Sequence, residues 1–269
     1  FYSMIFTNSA VHKIFYSYTT NADKPTLLLC NGIGQNSSYW AEIKYLFKDD
    51  FSFLEFDFPN QGQSSHTRKP LATNDYAQVI IDLCAELNIA SCIGIGNAFG
   101  GLVIKLAYQI HPSLFSKIVL ISCFAQRNKR MSRYAENTQS IVESIVEEQD
   151  FLKLFGQDWL DKSFIEMFGS EYLNTRSNQK KSERYFKGIL SMMNSLQDNE
   201  SNLSSEVEKI KIPVLVVQGN LDQIIPPSNG IELTEKLAKG QYAEIKNGKH
   251  ILQETHPDEL SDHLKLFLA

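Results

Sequence analysis

The chain has 269 residues, of which 43% are apolar, 21% charged and 11% aromatic. This is ordinary globular composition, which excludes a largely disordered, collagen-like or coiled-coil chain. The formal net charge of −5 and the lack of a long Lys/Arg block argue against nucleic acid and anionic membranes as main partners. No apolar run approaches the roughly 18–20 residues that cross a bilayer, so we expect no membrane span.

The four cysteines indicate a reducing compartment. Each lies in an apolar segment, and none belongs to a CxxC pair or stands near a histidine at metal-ligand spacing; they are Cys30, Cys84, Cys92 and Cys123. The N-terminus lacks the charged-then-apolar order of a secretory signal. We therefore interpret the cysteines as reduced core residues of a cytoplasmic protein and predict no metal site.

Strand-like and helix-like segments alternate along the first part of the chain, which predicts a mostly parallel sheet covered by helices. An antiparallel hairpin is expected first, with strands near 4–7 and 12–18. The elements that follow are predicted as a strand at 26–30, a helix at 38–47, a strand at 51–56, a helix at 74–87, a strand at 92–95, a helix at 102–110 and a strand at 117–122.

The residue pattern changes near residue 124. From there to about residue 208 the sequence is polar and charged, and its apolar residues recur with helical periodicity. Strand patterning resumes at 212–217 and continues with a helix at 231–237, a strand at 242–245 and a helix at 256–267. We predict an α/β protein with a mostly parallel central sheet flanked by helices and with an inserted helical lid. Its expected parts are the first part of the core, 1–123, the lid, 124–208, and the second part of the core, 209–269.

A strand, a tight glycine turn and a helix meet at residues 96–101, which read G-N-A-F-G-G. This arrangement is typical of a nucleophile elbow, G-x-S-x-G, in which the nucleophile stands on a strained turn between very small residues. Gly96, Gly100 and Gly101 occupy the small positions. The central residue is Ala98, whose methyl group cannot attack a carbonyl carbon.

With four further motifs, the chain resembles a lidded α/β-hydrolase of the lipase or esterase kind over nearly its whole length. The motifs follow predicted strands in the order that this family uses for nucleophile, acid and base. They are Asn31-Gly32-Ile33 where the family has His-Gly-x, Asp57-x-Pro59-x-x-Gly62-x-Ser64 with Asn60 replacing a glycine, Gln218-Gly219-Asn220-Leu221-Asp222, and Gly248-Lys249-His250.

The resemblance assigns roles to these positions. His250 is implied as the general base and then the acid, and Asp222 as the carboxylate that orients it. The backbone N–H groups of Phe99 and Ile33 are implied as the oxyanion hole. Two polar side chains beside these loops, Asn97 and Gln35, are expected to contact the substrate. No cofactor or metal is implied.

Two hypotheses account for Ala98. The first is a serine-to-alanine change made to trap a substrate or product, which is motivated by the survival of the elbow glycines, Asp222 and His250. The second is a natural non-hydrolytic member that binds a ligand in the same cavity, or that uses the Asp222–His250 pair alone to abstract a proton.

The expected substrate is an apolar acyl ester or thioester, cleaved by a Ser-His-Asp mechanism when position 98 carries a serine. The oxyanion-loop motif and the long lid are similar to those of hydroxyacyl-carrier-protein thioesterases and transacylases, whereas the elbow is equally similar to that of carbon–carbon bond hydrolases. An acyl carrier protein would need a basic patch, and the candidate is the cluster of Arg127, Lys129, Arg130 and Arg133. By its charge pattern alone this cluster is interpreted as a solvated helix start. Most of the apolar lid residues, such as Phe151, Trp159 and Met192, are expected to pack between lid and core, and some of the set to line an acyl pocket.

Overall fold

The computed structural model describes residues 3–8, 12–67, 69–126, 183–197 and 207–269, with scattered positions between 132 and 143. Eight strands lie in one sheet. They are β1 (Ser3–Asn8), β2 (His12–Thr19), β3 (Thr26–Cys30), β4 (Ser52–Phe56), β5 (Cys92–Asn97), β6 (Phe115–Ile121), β7 (Val214–Gly219) and β8 (Gly240–Ile245).

The strand order is β1-β2-β4-β3-β5-β6-β7-β8. β1 and β2 form the predicted antiparallel hairpin, and β2 pairs with β4 in the same antiparallel sense. All pairings from β4 to β8 are parallel. Strands β3, β4, β5 and β7 are buried at every position, which explains why β3 and the first four residues of β7 are apolar runs with little alternation. The predicted mostly parallel sheet is confirmed.

Helices cover both faces of the sheet. The helices with defined bounds in the described part of the chain are α1 (Ala41–Leu46), α2 (Thr73–Glu86), α3 (Phe99–Ile110), α4 (Glu183–Gln197), α5 (Pro227–Lys236), α6 (Leu252–Thr255) and α7 (Pro257–Leu268). One apolar cluster joins the sheet to α2, α3 and α5, and a second joins it to α1, α6 and α7. This two-sided packing is what a parallel sheet requires, because both of its faces are apolar.

Two helices begin earlier than the sequence predicts. The helix after the elbow begins at Phe99 rather than at residue 102, because the two glycines at 100 and 101 lie inside its first turn. The helix after β7 begins at Pro227 rather than near residue 231. The last helix, predicted at 256–267, lies at Pro257–Leu268, and the short helix α6 ends just before it at Thr255. His256 between them has φ −137 and ψ 51, in keeping with the steric bias against helical backbone before a proline.

Helix α4 is the part of the predicted lid that the structure describes at length. It is fixed to the core, because Thr73 Oγ1 donates to the Ser195 carbonyl at 2.8 Å and the Arg184 guanidinium donates to the Ser64 carbonyl at 2.8 Å. Met192 is fully buried. The region containing Phe151 and Trp159, and residues 127–130 of the basic cluster, lie outside the described residues. The lid boundaries 124 and 208 therefore stay predictions.

Within the described ranges, no helix is long and apolar enough to cross a membrane. All four cysteines are buried and unbridged, as expected for core residues.

Candidate active site

Ala98 occupies a strained turn at the carboxyl end of β5. Its backbone has φ 47 and ψ −107, a conformation with positive φ that a residue with a Cβ rarely adopts. The Ala98 N–H donates to the Ile121 carbonyl at 2.9 Å, and its carbonyl accepts the Leu102 N–H at 3.1 Å. The residue is partly exposed, although both of its neighbours are buried. The bend thus presents position 98 outward at the end of the sheet.

Close backbone packing explains the glycines around this turn. A Cβ on Gly96 would lie 2.5 Å from the carbonyl carbon of Gly100, and one on Gly100 would lie 2.2 Å from the carbonyl oxygen of Cys30. A Cβ on Gly101 would lie 2.3 Å from Cys123 Sγ. Side chains at these positions would therefore push α3 away from the ends of β3 and β6.

Asp222 and His250 form a buried hydrogen-bonded pair, with His250 Nδ1 2.8 Å from Asp222 Oδ2. The other carboxylate oxygen, Oδ1, accepts the N–H groups of Ile224 and Ile225, each at 2.9 Å. These bonds hold the carboxylate in one orientation. With Nδ1–H donating to Asp222, Nε2 is the ring nitrogen that can exchange a proton with a reacting group.

The two loops that carry this pair are packed directly against each other. A Cβ on Gly219 would lie 2.4 Å from the Gly248 carbonyl oxygen, and the Leu221 N–H donates to that same oxygen at 2.9 Å. The Asn220 side chain also accepts the N–H of Asn247 at 2.7 Å. The separation of the acid and the base is thus set by backbone contacts next to each residue.

The histidine loop is also joined to the elbow. The His250 carbonyl accepts a hydrogen bond from Asn97 Nδ2 at 3.2 Å and another from the Ser122 hydroxyl at 3.1 Å. Ser122 follows β6 with φ 51. The structure therefore brings the elbow of Ala98 and the Asp222–His250 pair to the same edge of the sheet.

The loop after β3 holds the first expected oxyanion-hole residue, Ile33. Both backbone groups of the preceding residue, Gly32, are held: its N–H donates to Gln35 Oε1 at 2.8 Å, and its carbonyl accepts a hydrogen bond from Gln61 Nε2 at 2.7 Å. One residue further on, the Tyr185 hydroxyl of α4 donates to the Gly34 carbonyl at 3.1 Å. This loop is therefore fixed by contacts from both the core and α4.

Phe99, the second expected oxyanion-hole residue, is the first residue of α3. Its N–H has no acceptor within the helix and lies at the positive end of the helix dipole. The aromatic ring is locked edge-on against Phe58 and Tyr76, at centroid distances of 5.7 and 5.1 Å. This packing fixes the residue that follows Ala98.

The two residues expected to contact substrate, Gln35 and Asn97, are buried and bonded to each other. Gln35 Nε2 donates to Asn97 Oδ1 at 2.7 Å. A direct contact of either side chain with a substrate stays a prediction.

Sequence reasoning missed the supporting residues Gln61, Ser122, Tyr185 and Gln253. Gln61 lies within a motif that the sequence analysis quoted, but its residue type there gave no sign of its contact with Gly32. Gln253 lies three residues after the histidine motif and donates to Gln35 Oε1 at 3.2 Å, whereas Ser122 and Tyr185 come from segments with no recognisable motif. Only the fold brings them to the site, so single-sequence patterns could not identify them.

Two buried titratable groups lie behind the elbow. Burial raises the pKa of the Cys123 thiol to about 12, so this cysteine is a neutral thiol at physiological pH and not a replacement nucleophile. Burial lowers the pKa of Lys105 on α3 to about 8, and its ammonium donates to the Phe124 carbonyl at 2.7 Å. Among the described residues, no group of three His, Cys, Asp or Glu side chains could hold a metal ion.

Known proteins show the same overall organisation. The chain is 23% identical over 264 residues to "Uncharacterized hydrolase YugF" of Bacillus subtilis (strain 168), covering 95% of this chain and 94% of YugF. It is 25% identical over 245 residues to "Putative carbamate hydrolase RutD" of Pantoea ananatis (strain LMG 20103), covering 88% and 86%.

Among solved structures, MGS-M2, an alpha/beta hydrolase enzyme from a Medee basin deep-sea metagenome library, superposes with a TM-score of 0.83. The match has 16% sequence identity and covers 98% of this chain and 97% of MGS-M2. The family model of the alpha/beta hydrolase fold matches residues 25–257. The protein is therefore a member of the alpha/beta hydrolase family.

Proposed function

We propose that this site binds an apolar acyl ester or thioester and hydrolyses it through an acyl-enzyme when a serine stands at position 98. The observation that carries the proposal is the 2.8 Å bond between His250 Nδ1 and Asp222, which lies at the same sheet edge as the strained turn of Ala98. An oriented imidazole beside an outward-facing turn is the arrangement that nucleophilic acyl transfer requires.

The proposed mechanism has two half-reactions. His250 Nε2 takes the proton of the serine hydroxyl as the serine oxygen attacks the carbonyl carbon, and the N–H groups of Phe99 and Ile33 bind the oxyanion. His250 then protonates the departing alcohol or thiol, which leaves an acyl ester on the serine. A water molecule repeats the attack with His250 as base, which releases the acid and restores the serine.

Ala98 interrupts this sequence at its first step. A methyl group has no proton to give up and no lone pair with which to attack, so no acyl-enzyme forms. In serine hydrolases, loss of the nucleophile costs about 10⁶ in kcat. We therefore expect the chain with Ala98 to bind its acyl ligand and to turn it over very slowly.

Related reactions of the same fold fit the same site. Carbon–carbon bond hydrolysis and acyl transfer to a second alcohol or thiol also need a nucleophile, an oriented base and an oxyanion hole. A carbamate, the substrate class in the name of the Pantoea relative, also presents a carbonyl carbon to such a site. These alternatives differ in the leaving group and the acceptor, not in the proposed roles of Asp222 and His250.

A second candidate function follows from Ala98 itself. Without a nucleophile, the pair can act as a general base that removes a proton from a bound ligand, or the cavity can serve for ligand binding alone. Native mass spectrometry of the purified protein would identify a retained ligand, and its chemical class would distinguish an acyl compound from an unrelated metabolite.

The decisive experiment is Ala98→Ser, assayed on p-nitrophenyl esters and on acyl thioesters of increasing chain length. We expect hydrolysis and a covalent acyl adduct on residue 98 in mass spectra of quenched reactions. Ala98→Gly and the double variant Ala98→Ser/His250→Ala are the matched controls, neither of which should accumulate the adduct. A folded Ala98→Ser protein that cleaves no acyl substrate would overturn the proposal.

An acyl carrier protein as substrate donor can be tested on the basic cluster. Arg133 is its exposed member among the described residues. Charge reversal by Arg133→Glu in the Ala98→Ser protein should slow the hydrolysis of carrier-linked thioesters and leave small esters unaffected. Equal effects on both substrates would contradict a carrier partner.

A further inference from the structure

We propose that Gln35 is a positioning residue, which together with Asn97 fixes the oxyanion loop and the histidine loop on opposite sides of the elbow. Its effect on the reaction would pass through these loops rather than through contact with substrate. This inference rests on the proposed function and adds to it the residues that set the relative placement of the oxyanion hole and the base.

A continuous chain of hydrogen bonds joins the two loops. The Gly32 N–H donates to Gln35 Oε1 at 2.8 Å, and Gln35 Nε2 donates to Asn97 Oδ1 at 2.7 Å. Asn97 Nδ2 then donates to the carbonyl of His250 at 3.2 Å. The oxyanion loop, the end of β5 and the histidine loop are thus joined through the side chains of Gln35 and Asn97.

The backbone groups at the two ends fix the orientation of both amides. A backbone N–H can only donate, so the oxygen of Gln35 must face Gly32, and the Gln35 nitrogen must then face Asn97. This nitrogen needs an acceptor, so the Asn97 oxygen faces it. The Asn97 nitrogen faces two carbonyls, His250 at 3.2 Å and Ile121 at 3.4 Å, which can only accept. Reversal of either amide would break bonds along the chain.

The chain leaves little capacity for a substrate contact. Gln35 Oε1 accepts a second hydrogen bond, from Gln253 Nε2 at 3.2 Å, and both N–H groups of Asn97 are used. Asn97 and Gln253 have no exposed surface, and Gln35 is 5% exposed. In such a buried network, one lost partner leaves a polar group unsatisfied, so a disturbance at one end is passed along the bonds.

The reaction should be sensitive to this network. Gln35 holds the N–H of Gly32, the residue before Ile33, whose own N–H is proposed to bind the oxyanion. Asn97 holds the main chain of the proposed base. A misplacement of about 1 Å in such a site can cost about 100-fold in rate. Ground-state binding of an apolar acyl chain does not use these groups, so KM should change much less than kcat.

The test uses isosteric charge variants in two backgrounds. Gln35→Glu and Asn97→Asp replace a donating NH₂ by an acceptor, so two acceptors face each other within the chain of bonds. Gln35→Met removes the amide without adding charge, and it replaces Gln35→Glu in the test if the glutamate variant fails to fold. Gln241→Glu, an exposed position at the start of β8, is the matched control for the added charge.

In the protein with Ala98, the NMR readouts are the backbone amide signals of Gly32 and Ile33 and the imidazole N–H signal of His250. We expect both sets to shift in the Gln35 variants and in Asn97→Asp, and neither to shift in Gln241→Glu. If Gln35 variants move only the Gly32 and Ile33 signals and Asn97→Asp moves only the His250 signal, the two loops are not coupled and the proposal is overturned.

In the Ala98→Ser background, kcat should fall about 100-fold for Gln35→Glu and Asn97→Asp, with a much smaller change in KM. Unchanged kcat in these variants would overturn the positioning role while leaving the proposed hydrolysis intact. Absence of hydrolysis in Ala98→Ser itself would remove the proposed function, and the coupled NMR shifts would then decide whether the two loops are joined as described.

Discussion

Asn97 donates a hydrogen bond of 3.2 Å to the carbonyl of His250, which lies 153 residues further along the chain. Asn97 immediately precedes the centre of the elbow, so the proposed base is tied to the residue next to the proposed nucleophile position. Asp222 approaches the same histidine from its Nδ1 side at 2.8 Å. The ring and the main chain of His250 are therefore fixed by different partners.

The triad roles give a first prediction in the Ala98→Ser protein. His250→Ala should reduce kcat by about 10⁶, because the serine hydroxyl loses its base. Asp222→Asn should reduce it by about 10⁴, because the amide disfavours the imidazole tautomer that the mechanism needs. Steady-state kinetics on one ester measures both effects. His263→Ala, on the outer helix α7, is the control and should retain full activity.

The elbow glycines give a prediction about stability. Gly100→Ala places a Cβ 2.2 Å from the Cys30 carbonyl oxygen, so α3 must shift, and the free energy of unfolding should fall by about 3 kcal/mol. Gly230→Ala in α5 is the matched control, since its Cβ would lie no closer than 3.1 Å to its nearest neighbour. Urea denaturation of both variants measures the difference; an equal loss in both would contradict the steric argument.

Lys105 gives a prediction about pH. Its pKa is lowered from 10.5 to about 8 by burial, so between these values the unfolded chain holds a proton that the folded chain has released. Stability should therefore rise with pH in this window, by at most about 1.4 kcal/mol per pH unit. Below about pH 8 both states hold the proton, so this group adds no pH dependence there.

Lys105→Met isolates this contribution, because the other groups that titrate in the same window are common to both proteins. The unfolding free energy of the unsubstituted protein should increase from pH 8 to pH 10 relative to that of the variant. A difference that stays constant over this range would show that burial does not lower the pKa of Lys105.

The contact between α4 and the oxyanion loop gives a fourth prediction. Tyr185→Phe removes the bond to the Gly34 carbonyl and should cost roughly 1 kcal/mol of stability. In the Ala98→Ser background we also expect a several-fold fall in kcat, since Gly34 follows Ile33. Thermal melting and ester kinetics test both parts. Tyr45→Phe, at a position that is 65% exposed on α1, should change neither quantity.

The sequence was sufficient for the elements whose signal is local. The apolar runs at 26–30 and 214–217 predicted buried parallel strands, because burial on both faces removes polar residues from the pattern. Turn chemistry was equally readable at Asp57, because Asp favours turns, and its carboxylate accepts the N–H groups of Ser37 and Gln63 at 2.7 and 2.8 Å.

Features that depend on tertiary contact were not readable. The start of α3 at Phe99 was missed because glycines at 100 and 101 lower helix propensity. Both are required there by close contacts, of the Cys30 carbonyl with Gly100 and of Cys123 Sγ with Gly101. The partnership of Gln35 with Asn97 joins residues 62 apart in the chain. Amides carry no pattern that identifies such a partner, so only the fold shows that the two side chains meet.

The backbone at Ala98 has a further consequence. Its positive φ persists with only a methyl group at the turn, so a hydroxyl is not what maintains the bend; the neighbouring glycines and the bonds to Ile121 and Leu102 do so. The substitution Ala98→Ser would therefore add a hydroxyl group without any rearrangement of the main chain. The geometry of the turn is thus set by the scaffold alone and does not depend on a nucleophilic side chain.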